Sequence, residues 1–159
     1  MTGDARFEDG ADRPLRLRAS APDDLQIMAA LVQDAVFPIT EMKWDRQQRR
    51  FAILLNRFRW EEMAAAERAG RAFERVQSIV AIGDVARVSS SGLDLAARDS
   101  ILSLLDLTFR PGEDGTGRIV LTLAGDGAVA VEVEALDVLL RDVTRPYAAP
   151  SGKAPEHPE

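Results

Sequence analysis

The chain contains no cysteine, and its single histidine, His157, stands in a proline-rich terminal stretch. Without thiols there is no disulfide framework, thiolate catalysis, iron–sulfur ligation or cysteine-type zinc site, which fits a reducing cytosol. Without a histidine elsewhere, the commonest general base, the usual hydrolase triad and histidine–metal chemistry have no place in a folded body. Long apolar runs are missing too. No window approaches the roughly 18 apolar residues of a membrane-spanning helix, and the opening MTGDARFEDGADR has no apolar stretch behind a basic start. A cytoplasmic protein with no membrane partner is therefore expected. Nor is there a phosphate loop: Gly112, Gly115 and Gly117 do not stand between a strand and a helix, and no Gly-Lys-Ser/Thr follows. No cofactor or metal is expected from these patterns.

What is present is the material of one globular domain. The 159 residues are 46% apolar and 29% charged, enough to bury roughly two-thirds of the unfolded surface. The formal charge is −6, from 20 bases and 26 acids, which argues against a general coat for nucleic acid or membranes. Residues 1–13 are polar and residues 148–159 carry prolines at 150, 155 and 158, so both are expected to be disordered tails around a body over 14–147.

Hydrophobic periodicity supplies the elements of that body. Leu15 and Leu17 alternate with Arg16 and Arg18, the period of a half-buried strand. Leu25, Met28, Ala29, Val32 and Val36 recur at helical spacing behind Pro22 and Asp23, which predicts a helix from Pro22 to Ala35 stopped by Pro38. Residues 40–60 read as a hairpin, with Met42 and Trp44 on one face, a DRQQ turn, and Phe51, Ile53 and Leu55 on one face of the return strand. Its FAILL segment is apolar on both faces, as in a strand covered on both sides. Asn56 inside that strand points to a bulge or a satisfied amide.

Downstream, Glu61 to Arg75 suits a surface helix or helical linker, and VQSIVAIGDVARVSS suits one strand bulged at Gly83–Asp84. Residues 101–110, 118–124 and 128–134 form a meander whose apolar rows include Leu105, Leu107 and Phe109, then Ile119, Leu121 and Leu123, then Val129, Val131 and Val133. Leu136, Leu139, Leu140 and Val143 match a helical stripe, although Leu136, Val138 and Leu140 also fit a strand. The expected fold class is α+β: a curled antiparallel or mixed sheet with one main helix packed on it, a strand–helix–hairpin half preceding a meander half.

The segments PLRLRA, DDLQIMAALVQDAV, RRFAILLNRFRWE, LSLLDLTFRPGED and VAVEVEALDVLLRDV together resemble the domain-of-unknown-function family numbered 2948, a family of uncharacterised alphaproteobacterial proteins. The resemblance spans about Pro14 to Tyr147 and departs chiefly in the alanine-rich stretch over 61–75. It implies a discrete domain and carries no activity, cofactor or catalytic residue.

Function must then be sought in charge patterning. Residues 41–60 hold Lys43, Arg46, Arg49, Arg50, Arg57 and Arg59 against Glu41 and Asp45, with Trp44 and Trp60 interleaved. Arginine forks bind carboxylate or phosphate bidentately, and aromatic faces stack bases. The leading expectation is a non-catalytic cytosolic binding or adaptor domain that uses Arg49, Arg50, Arg57, Arg59 and Trp60 to meet an acidic partner or a second copy of itself. The first alternative is RNA or nucleotide-phosphate binding by the same hairpin. A second is a carboxylate-dependent enzyme, with Mg²⁺ held by Glu132 and Glu134 on one strand face in the acidic segment 113–142. Against all three stands the plainer reading: core aromatics, solvated arginines and the wet side of an amphipathic strand.

Overall fold

A computed structural model describes residues 13–148. The expected tails fall outside these residues, except that Arg13 and Ala148 are described and Ala148 closes the last strand. Eleven strands form one antiparallel sheet: β1 (Arg16–Ala19), β2 (Val36–Pro38), β3 (Met42–Asp45), β4 (Arg50–Phe58), β5 (Glu74–Ile82), β6 (Val85–Ser91), β7 (Ile101–Pro111), β8 (Gly117–Leu123), β9 (Gly127–Val133), β10 (Val138–Asp142) and β11 (Tyr147–Ala148). Two short helices accompany them, α1 (Pro22–Val32) and α2 (Met63–Ala69). The neighbour order is β1-β10-β5-β4-β2-β7-β8-β9-β6, with β3 paired to β4 and β11 to β5.

The expected α+β class is thereby corrected: this is a mostly-sheet protein, not a sheet with a helical layer. The physical reason is that the sheet curls and supplies most of its own core partners. Residues from β4, β5 and β10 share one apolar cluster with Leu107, Leu121 and Val131 of the meander and with Leu25, Met28 and Val32 of α1. Burying these rows together is the main driving force for the fold. At the curl's far end, Val85 N–H donates to the Arg49 carbonyl at 3.0 Å, bringing β6 to the start of β4.

Local chemistry explains where elements begin and end. Pro22 opens α1 and Asp23 and Asp24 sit at its positive end, but the helix stops at Val32, short of Ala35. Asp34 takes a positive φ of 65°, its N–H donates to the Leu104 carbonyl, and Leu104 N–H returns a bond to Ala35, each at 2.8 Å. Pairing with β7 thus removes these residues from the helix, and Pro38 ends β2 instead of stopping α1. Asp84, at φ 52°, breaks the stretch expected as one bulged strand into β5 and β6, which pair with different partners. The last stripe, read as helical, is strand β10, wedged between β1 and β5. A register shift between Leu104 and Asp106 turns Leu104 inward and leaves Leu105 36% exposed, so the buried row begins at Leu104, one residue before the expected Leu105. Asn56 causes no bulge, since β4–β5 pairing runs unbroken from Phe51 to Phe58, and its amide nitrogen donates to the Tyr147 hydroxyl. Among the described residues, no helix is long and apolar enough to cross a membrane.

Candidate functional site: the two ends of strand β4 and its open face

Strand β4 carries the five residues singled out in the sequence, or borders them, and it separates them. Arg50 and Arg57 lie seven positions apart, or about 23 Å along a strand. Odd positions from Phe51 to Leu55 face the core, and Arg57 continues that row inward.

At the Arg57 end the charges are consumed within the fold. Arg57 is fully buried. Its Nε donates to Ser78 Oγ at 3.2 Å and to Asp142 Oδ1 at 3.1 Å, and Nη2 donates to Asp142 Oδ2 at 3.1 Å. Nη1 and Nη2 also grip the two Glu61 oxygens at 2.8 Å each. Ser78 Oγ donates to Asp142 Oδ1 at 2.6 Å, and Leu15 N–H donates to Oδ2 at 2.9 Å, so every member has several partners. Burial works to push the Glu61 carboxyl up, but the hydrogen bonds and charge of Arg57 prevail and hold it below its ordinary value. Burial likewise works against the Arg57 cation, and Glu61 and Asp142 more than offset it.

Arg59 is also buried, with Nη1 donating to Glu74 at 2.5 Å. Trp60 stands edge-on to Phe58 with ring centroids 4.6 Å apart, and its indole N–H donates to the Gln33 carbonyl at 2.9 Å. Phe73 also stands edge-on to the fully buried Phe58, with ring centroids 5.8 Å apart. Thus Arg57, Arg59 and Trp60 bind the fold together and do not converge on an open site.

The other end of β4 is exposed. Arg49, with a positive φ of 55°, turns the hairpin and pairs with Glu134. Arg50 belongs to a bare sheet face that the sequence reading did not assemble. Cross-strand registers place Arg18, Leu139, Ala81, Ala52 and Lys43 in one row, and Arg16, Arg141, Ile79 and Leu54 in the next, all pointing away from the core. The apolar members are half-buried while the cations are exposed. Part of this face forms a concavity of about 400 Å³ lined by Arg18, Arg50, Ala52, Ile79, Leu139 and Arg141, among others. The acids nearest the cations are Asp137, 3.7 Å from Arg18, and Asp45, opposite Arg50. The only sequence hint was the alternation of arginine with leucine in PLRLRA; the rest of the patch comes from strands distant in sequence.

The acidic candidates are occupied. Glu132 accepts from Arg87 at 2.9 Å and Arg118 at 3.0 Å, and hydrogen bonding from Arg87, aided by Arg118, holds its carboxyl below its ordinary value. Glu134, just past the end of β9, is taken by Arg49. Among the described residues, no three of His, Cys, Asp and Glu gather as a metal site.

Fold and surface together define a single-sheet antiparallel β-domain with a basic outer face and an inward arginine clasp. It belongs to the family described as "Protein of unknown function (DUF2948)", whose model matches residues 15–157. No curated protein and no solved structure matches the chain.

Proposed function

We propose that this domain is a non-catalytic binding module whose bare sheet face meets an acidic protein partner. The observation that carries the reading is the double row across β1, β10, β5, β4 and β3, an apolar centre of Leu139, Ala81, Ala52, Ile79 and Leu54 flanked by the four cations Arg16, Arg18, Lys43 and Arg141, with Arg50 beside the rows, against two nearby carboxylates. On a chain of net charge −6, such a face is electrostatically unlike the rest and favours a complementary surface. RNA-binding sheets stack bases on aromatic side chains, and neither row has one, so a polypeptide partner fits better. A second copy fits less well, because Glu132 and Glu134 of the acidic meander are already paired within the chain.

The test uses a fluorescent peptide of alternating leucine and glutamate as probe, followed by anisotropy. Wild type should bind at low salt, and the combined variant Arg18→Glu, Arg50→Glu, Arg141→Glu should not, while melting normally. A folded triple variant that binds the peptide as wild type does rejects the reading. So does a single-stranded RNA that binds the same face more tightly than the peptide, with a steeper salt response.

A further inference from the structure

The sheet fails to close between β3 and β6. Among the described residues β3 pairs only with β4 and β6 only with β9, so each presents an open edge. These edges are the walls of two adjoining cavities. One, of about 380 Å³, is bounded by Met42, Trp44, Phe51, Val88, Val129 and Arg98, with the hydroxyl-bearing Ser89 and Ser90. The other, of about 510 Å³, is bounded by Trp44, Arg46, Arg49, Arg87 and residues 85–88 of β6. Trp44 and Val88 line both, so the two are lobes of one cleft.

The lobes differ in chemistry. Phe51 and Val129 give the first an apolar floor, being 3% and 2% exposed, and Leu95, 58% exposed, stands at its margin. The second has three arginines and no acid in its lining. Arg49 and Arg87 already hold Glu134 and Glu132, whereas Arg46 makes no ion pair among the described residues. Arg49 also pins the cleft's end, since its Nε donates to the Val85 carbonyl at 3.4 Å.

We infer that this cleft is a binding site for a small amphipathic anion, its apolar body lying along Met42, Trp44, Phe51 and Val129 and its anionic head in the arginine lobe. Each lobe falls within the volume range of ordinary ligand sites, about 300–1,000 Å³. An apolar floor with a few convergent polar groups at one end is the usual composition of such sites. A carboxylate and a phosphate head share the chemistry that Arg46 offers, namely a guanidinium fork. This site uses the core-side residues Met42 and Trp44 of β3, whereas the proposed partner face lies on the opposite side of the same strand; the two share Lys43, which also borders the first lobe, while Arg46 belongs to the cleft alone.

The reporter is intrinsic. Replacing Trp60 with phenylalanine leaves Trp44 as the single tryptophan of the two in the chain. Octyl phosphate and octanoate, each below its micelle concentration, are titrated into this variant alongside octanol and inorganic phosphate. At least one octyl anion should shift Trp44 emission saturably, octanol and inorganic phosphate should not, and the relative response identifies the preferred head. Adding Arg46→Glu should weaken the response by about tenfold or more, the expected loss of a charge-assisted contact, while Arg50→Glu should leave it intact. Equal responses to octanol and the octyl anions, indifference to Arg46→Glu, or no response to either anion overturns the inference.

Discussion

Arg57 and Arg49 are the same residue type, one near the end of strand β4 and one just before its start, each bound to a carboxylate distant in sequence, yet they do different work. Arg57 is sealed in with Ser78, Asp142 and Glu61. Arg49 holds Glu134 on a surface where its side chain is 46% exposed. The contrast shows how solvent decides the value of an ion pair. In water the attraction is screened and each partner is nearly as well off alone. In the core, each partner would be stranded without the other, so pairing becomes a condition of folding.

The comparison breaks most visibly under Arg57→Ala. This substitution leaves the Asp142 carboxylate, whose side chain is 5% exposed, without its cation and with only Ser78 and the Leu15 N–H donating to it, and denaturant titration should register a loss of about 3–5 kcal/mol. A variant with wild-type stability would mean that the clasp can be replaced by water or by rearrangement. Next in size is the response to acid. The Glu61 carboxyl is held below its ordinary value of 4.5 in the folded chain, so the stability it contributes is complete above that value and disappears as pH falls through the lower, folded-state value. Denaturation midpoints measured in stepwise acid should therefore fall, and Glu61→Gln should lower stability at neutral pH while flattening this acid dependence. If Glu61→Gln leaves the acid profile unchanged, other carboxylates control it. The smallest effect is expected for Arg49→Ala, whose thermal melt should nearly superimpose on wild type. A large drop there would erase the distinction between the two ends, and would make the Arg49–Val85 contact at the cleft a structural joint in its own right.

How much of this was legible in the sequence follows from the range of the forces involved. Alternation in FAILL and in the meander reveals strands because the period-two signal is local, and the rows at Leu121 and Val131 do lie in the core. The three-residue β2 is too short to show a period, and its proline suggested a stop. The stripe from Leu136 to Val143 satisfied two periods, and only the waiting edges of β1 and β5 decide for strand β10. The site suffered most. The hairpin's positive charge was evident, but whether an arginine faces water or Asp142 depends on a contact spanning 85 positions. The same limit hid the outer rows, which join Arg18 to Leu139 and Ala81 to Ala52 across four strands.

The position of Asp142 has a consequence for the order in which the protein can be made. Strand β10 lies between β1, near the beginning of the chain, and β5, in its middle. A polypeptide emerging from the ribosome has therefore exposed two unmatched edges and a cation bound for the interior long before their shared neighbour exists. The sheet's first half must wait for residues 138–142, so the domain is completed only once they have been made, and a chain cut short before them would be handed to proteases or chaperones with its clasp unfastened.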